Sequence, residues 1–215
     1  MKWHTSALPA ATVRALKYCA EQTWLRRSRW YLAGGTALAL QVGHRRSVDL
    51  DFFLPKNKFS SRQLISRLPD DIWQGDIVTD DTIYGKLYKA KVSFIAYPFF
   101  HRVQPFCWFG NVRVLDFRDI AVMKIIAISQ RGRKRDFLDL YWYIQHQESL
   151  IDVLLRLPKQ YPTVAHDYNH ILKSLVYFTD AEHDPMPQLY FSAAWPKVKQ
   201  FFQREVGYTT RQLVL

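Results

Sequence analysis

Asp49 and Asp51 alternate with apolar residues in the run Val48-Asp49-Leu50-Asp51-Phe52-Phe53, which has the two-residue period of a β-strand. On such a strand Val48, Leu50 and Phe52 share one face and both carboxylates the other, about 6.6 Å apart along the chain. Two acids so placed repel each other unless a basic group or a metal neutralises them, and together they can grip one hard cation. Upstream, the strand-like Tyr31-Leu32-Ala33 runs into Gly34-Gly35-Thr36, and residues 36–42 suit a helix. Glycines let the backbone come close to a phosphate, and the N–H groups that open the helix can receive its oxygens.

Two further carriers of chemistry lie downstream. Residues 119–128 form a helix that is apolar nearly all round, with Lys124 in its middle. A buried ammonium is expensive, so Lys124 either snorkels to water or faces a polar site. Asp119 is expected to cap this helix and Gly132 to end it. Asp136 and Asp139, three residues apart, share one face of the next helix, with Tyr143 one turn beyond. Asp139 reads as a surface ion pair with Arg135 at i,i+4 spacing, a weak interaction.

These residues need elements to position them. Residues 10–25 read as a helix, 60–67 as a short helix capped by Ser60 or Ser61, and 76–79, 83–87 and 91–98 as strands. A hairpin is expected over 106–115, turning at Gly110-Asn111. Beyond residue 116 the pattern is helical over 117–130, 134–147, 149–157, 166–178 and 195–206, with a loop at 180–188. The chain therefore reads as α+β: an α/β core over residues 1–115 packed on a helical domain over 116–215. The aromatic run Tyr141-Trp142-Tyr143 is assigned to core packing.

Composition narrows the function classes. With 215 residues and 48% apolar content, the chain can build a real core as one domain or two small ones. No apolar run reaches membrane-span length and the start lacks a secretory leader, so a cytoplasmic protein is expected. The two cysteines and seven histidines form no zinc-binding spacing, and no G-x-x-x-x-G-K-[ST] phosphate loop occurs. The formal charge is +11, which attracts polyanions such as RNA or an acidic protein. Three basic groups border the segments assigned to the site: Arg26, Arg27 and Arg29, which read equally as a solvated helix end; His44, Arg45 and Arg46; and Arg131, Arg133, Lys134 and Arg135, which read more as a rim than as a solvated loop. A rim of that kind holds a triphosphate and guides a nucleic acid by charge alone.

The order strand, Gly-Gly, helix, Asp-x-Asp strand resembles the nucleotidyltransferases of the polymerase-β type. GGTALAL followed by GHRRSVDLDFF is similar in wording to one branch, the AbiEii/AbiGii-type toxins of bacterial toxin–antitoxin and phage-defence systems. The similarity extends from about residue 31 to 206 and includes Lys124 followed by Arg131-Gly132-Arg133-Lys134-Arg135-Asp136-Phe137-Leu138-Asp139-Leu140. It implies a polymerase-β-type core with a mixed sheet and a C-terminal helical bundle. It also implies an enzyme that uses Mg²⁺ or Mn²⁺ to transfer NMP from an NTP to an acceptor hydroxyl, such as a tRNA 3′ end, and an antitoxin partner. Asp49 and Asp51 would hold the metal, and Asp49, Asp51, Lys124 and Asp136 would be the catalytic set. Gly34, Gly35, Thr36, Arg46, Ser47 and Lys124 would contact the nucleotide. Asp136 would orient Lys124, help hold the metal, or take the proton of the attacking hydroxyl. One position departs from the polymerase-β pattern: where a third carboxylate is expected on a later strand, residues 91–97 offer only Ser93. Either one cation suffices there, or the chain is a non-catalytic nucleotide- or nucleic-acid-binding module on the same fold.

Overall fold

The strand that carries Asp51 lies at the centre of a seven-stranded mixed sheet. The computed structural model describes residues 2–213. Its strands are β1 (Tyr31–Ala33), β2 (Leu50–Leu54), β3 (Trp73–Val78), β4 (Thr82–Leu87), β5 (Ala90–Ala96), β6 (Cys107–Phe109) and β7 (Val112–Val114), in the order β3-β4-β5-β2-β1-β7-β6. β2 runs antiparallel to β1 and parallel to β5, while β1 is parallel to β7. Alternation decides the faces. Leu50 and Phe52 are buried with Ile83, Val92 and Phe94, and Phe52 stacks on its register partner Phe94 with ring centroids 5.1 Å apart. The opposite face presents Asp51, Ser93 and Tyr84.

Val48 and Asp49 precede the strand instead of belonging to it. Val48 is 47% exposed and shares no buried face with Leu50. The expected hairpin is present as β6–β7, turning through Gly110 at φ +58°. The expected helix over 10–25 is two, α1 (Ala10–Glu21) and α2 (Thr23–Arg27), because Gln22 is extended at ψ 105°. α3 (Gly34–Val42) starts two residues before Thr36 and ends at Gly43 with φ +67°. α4 (Ser61–Ile65) is capped by Ser60, whose hydroxyl accepts from the Gln63 amide.

The helical half begins with α5 (Phe117–Arg131), closed by Gly132 at φ +49°. Its cap is Asp116, which accepts from the Arg118 N–H; Asp119 lies inside the first turn. There Asp119 is fully buried and accepts from the Val103 and Gln104 amides and the Gln160 side chain. Next come α6 (Lys134–His146), α7 (Leu150–Leu155), α8 (Leu157–Gln160), α9 (Tyr168–Ser174), α10 (Thr179–Glu182) and α11 (Trp195–Leu213). α10 occupies the start of the expected loop over 180–188, and α11 runs seven residues past the expected end at 206. Tyr143 is fully buried and Tyr141 packs on Phe191 and Phe201, so this aromatic run is core. One hydrophobic cluster joins both halves. Among the described residues no helix is long and apolar enough to cross a membrane.

Candidate active site

On the open face of the sheet Asp51 lies in register with Ala33 on one side and Ser93 on the other. The Ser93 hydroxyl donates to Asp51 Oδ1 at 2.6 Å, so the position that lacks an acid instead supports one. Burial pushes the Asp51 carboxyl above its ordinary pKa, and the charge of Asp49 adds to this, against the Ser93 hydrogen bond. Asp49 Oδ1 is buried with no hydrogen-bond partner, and Oδ2 accepts from the Arg135 guanidinium at 3.4 Å. A buried carboxylate oxygen without a donor is costly. Beside a second acid held above its normal pKa, it is the environment a divalent cation relieves.

The glycines are fixed by what surrounds them. Gly34 has φ +72°, and a Cβ there would lie 3.0 Å from Asp51 Oδ2. A Cβ on Gly35 would lie 2.3 Å from the Arg45 guanidinium nitrogen Nη2. The turn is thus pressed onto both the acid strand and the loop that follows α3.

Lys124 settles the choice between snorkelling and a polar site. It is 5% exposed, and its Nζ lies 2.6 Å from Asp136 Oδ1 and 2.6 Å from Asp139 Oδ2. Asp139 is not a surface partner of Arg135, which pairs with Asp49. It is fully buried and also accepts from Arg45 Nε at 2.5 Å, Arg45 Nη2 at 2.9 Å and His44 Nε2 at 2.7 Å. Burial pushes its carboxyl up, but the Arg45 and Lys124 charges outweigh that and hold it well below the usual range. Burial lowers the His44 pKa despite the bond to Asp139, so a neutral ring donates its Nε2–H. Asp136 keeps one oxygen, Oδ2, without a hydrogen bond; the Arg131 guanidinium stands 3.3 Å from it.

These groups enclose a cleft of about 650 Å³ between the sheet and α5. Gly34, Gly35, Thr36, Ser47, Asp49, Asp51, Lys124 and Asp136 all line it. Of the expected nucleotide contacts, Arg46 stays outside: it is exposed and its amide bonds the Gln188 carbonyl. Thr36 and Ser47 bond each other, hydroxyl to hydroxyl, at 2.8 Å. The 44–47 loop is therefore not a solvated basic rim, since His44 and Arg45 are buried on Asp139. Arg131 and Arg135 do flank the cleft, whereas Arg133 pairs with Asp184 and Arg26 lies over Trp108. Sequence reasoning missed the ion lattice of His44, Arg45, Lys124 and Asp139. The one local sign of it was the three-residue spacing of Asp136 and Asp139, which turns both toward the same neighbour.

No group of three or more His, Cys, Asp or Glu side chains suited to a metal occurs among the described residues. The donor set that fits a cation is the pair Asp49 and Asp51. Mg²⁺ is bound in this way, by one or two carboxylates, substrate phosphates and retained waters.

An acid-bearing central strand, a glycine turn and a lysine helix across the cleft define a nucleotidyltransferase fold, and solved structures share it. A putative nucleotidyltransferase from H. pylori superposes with a TM-score of 0.53 at 17% identity, covering 95% of this chain and 97% of that one. MenT4, the nucleotidyltransferase toxin Rv2826c from Mycobacterium tuberculosis H37Rv, gives 0.52 at 12% identity, covering 94% and 86%. In sequence, "Uncharacterized protein aq_aa25" of Aquifex aeolicus (strain VF5) is 36% identical over 184 residues, 82% of this chain and 86% of that protein. Residues 25–206 match the family described as "Nucleotidyl transferase AbiEii toxin, Type IV TA system". The chain belongs to that family.

Proposed function

We propose that this chain is a Mg²⁺-dependent nucleotidyltransferase that moves NMP from an NTP to a hydroxyl of RNA, with a tRNA 3′ end as the favoured acceptor, and that it acts as a toxin restrained by an antitoxin. The observation that carries the reading is the unpartnered, buried Asp49 Oδ1 beside Asp51 on the cleft wall. A groove that only bound polyphosphate would gain nothing from two acids there without a cation.

Asp49 and Asp51 would hold the metal, which neutralises phosphate charge and polarises the phosphoryl oxygens. The Gly34–Gly35 backbone and the start of α3 receive the phosphates of the leaving group. Lys124 has three N–H donors; two are engaged by Asp136 and Asp139, leaving one for a phosphate oxygen. Asp139 fixes that ammonium from the rear while Arg45 and His44 fix Asp139. Asp136 positions Lys124 through Oδ1, while its Oδ2 faces the Arg131 guanidinium at 3.3 Å. Work of this kind is positioning and charge neutralisation.

Ser93 beside Asp51 favours a second reading, a non-catalytic module that binds nucleotide or nucleic acid on the same fold. One experiment separates them: transfer of label from each α-labelled NTP, with Mg²⁺, to total bacterial RNA and to protein, beside the Asp49→Ala variant. A discrete labelled RNA band that the variant lacks is the expected result and names base and acceptor together. Label in protein keeps the chemistry and discards the RNA acceptor. No transfer from any NTP by folded protein makes the binding module the better description.

A further inference from the structure

The open face of the sheet continues past Asp51 in one register row: Asp51 pairs with Ser93, Ser93 with Tyr84, and Tyr84 with Ile77. Paired residues project from the same face, so Tyr84 stands two strands, roughly 10 Å, from Asp51. Tyr84 is 44% exposed and Ile77 53% exposed, and both line the catalytic cleft. An aromatic and a branched aliphatic side chain left about half exposed inside a cleft form a surface on which a base can stack. Two residues along each strand from this row, Lys86 and Lys91 lie directly opposite each other. Like charges across a strand pair cost stability, so the fold alone gives no reason for them, while an anion does. The acid on this wall is Asp76, in the β3 segment where the register shifts between Gly75 and Ile77.

The direction of the chemistry says which ligand belongs here. Displacement at phosphorus is in line, so the attacking oxygen enters opposite the leaving pyrophosphate. The pyrophosphate side is the Gly34–Gly35 turn, next to β1. The opposite side of Asp51 is Ser93, then Tyr84. We infer that Tyr84, backed by Ile77, stacks the terminal base of the RNA acceptor, and that Lys86 and Lys91 take its backbone phosphates. This rests on the proposed reaction and adds the acceptor subsite to it.

The test uses a short RNA ending in 3′-terminal 2-aminopurine, whose fluorescence is quenched on stacking, with neither NTP nor divalent ion present. Wild type and Tyr84→Phe should quench it, and Tyr84→Ala should not. In transfer assays Tyr84→Ala should raise KM for the acceptor roughly ten-fold, the order expected for one lost base stack, and leave KM for NTP unchanged. An acceptor with an abasic terminal residue should be insensitive to the same substitution. Tyr84 is exposed, so unchanged thermal stability of the variant is the control for folding. Transfer and quenching that ignore Tyr84→Ala would overturn the subsite, as would a rise in KM for NTP alone. Quenching that depends on Tyr84 in a protein with no transfer activity would overturn the reaction and keep the subsite.

Discussion

Asp139 and Asp51 are shifted in opposite senses, the first by neighbouring cations and the second by burial, and that makes them separable by measurement. Asp139 is ringed by Arg45, Lys124 and His44, so its folded pKa lies well below the ordinary value. A depressed carboxylate stabilises the fold above its unfolded pKa of about 3.9; the contribution is lost as pH falls through the folded value. Asp139→Asn should therefore cost roughly 3–5 kcal/mol at neutral pH, because it leaves buried cations uncompensated. In a chain of this size that is roughly 6–20 °C in Tm. Asp51 is raised, so its sign is reversed: metal-free protein gains stability as pH falls through the folded pKa toward the unfolded value near 3.9. Asp51→Asn should raise Tm of the metal-free protein at pH 7.5, by about 2–4 °C for each kcal/mol of carboxylate desolvation it relieves. It should also abolish any rise in Tm that Mg²⁺ gives the wild type. Thermal melts of both variants with Mg²⁺ and with EDTA check the pair, and two variants that move Tm in the same direction would refute it.

At the scale of elements, what was legible followed from periodicity, and what was not followed from contacts distant in sequence. The β2 alternation and α5's apolar circumference are local patterns, so the acid strand and the Lys124 helix could be read directly. The break at Gln22 carries no glycine or proline, which is why one helix was expected where there are two. The Asp139 pairing failed for the same reason: the i,i+4 rule points to Arg135, whereas the real partners His44 and Arg45 lie 95 and 94 positions away. Asp119 likewise looked like a cap, and is instead a buried acceptor for the loop before β6. The glycine turn was legible as a turn but only half understood, since Gly35 also abuts Arg45. A methyl group at Gly35 would meet the Arg45 guanidinium at 2.3 Å, and the bidentate bond to Asp139 keeps that group from moving aside. Gly35→Ala should lose roughly 1–3 kcal/mol of stability, the range for overpacking. Combined with Arg45→Lys, a thinner head group, it should lose less than the sum of the two single changes. Strict additivity in denaturant melts would mean that the turn and the ion lattice are independent.

For the molecule as a whole, the +11 charge is a statement about partners, and the fold divides it into parts with different work. Arg45 and Lys124 are neutralised internally by Asp139 and Asp136. Arg26 and Arg113 lie over Trp108, outside the catalytic cleft. Arg131 and Arg135 are about half exposed at its mouth, each only loosely held by an acid at 3.3 and 3.4 Å. An RNA acceptor of the kind proposed would find these two cations on the α5–α6 side of the cleft. Each phosphate they neutralise releases a counterion, so log affinity should fall with log salt by roughly 0.7 per contact for single-stranded RNA. Arg131→Gln with Arg135→Gln should thus weaken RNA binding at low salt and flatten the salt slope by about 1.4. Arg26→Gln should leave the slope unaltered. Titrations of labelled RNA at several salt concentrations measure both. Equal flattening by the Arg26 and the cleft variants would mean that RNA is held by the overall charge of the surface, and that the cleft has no privileged approach.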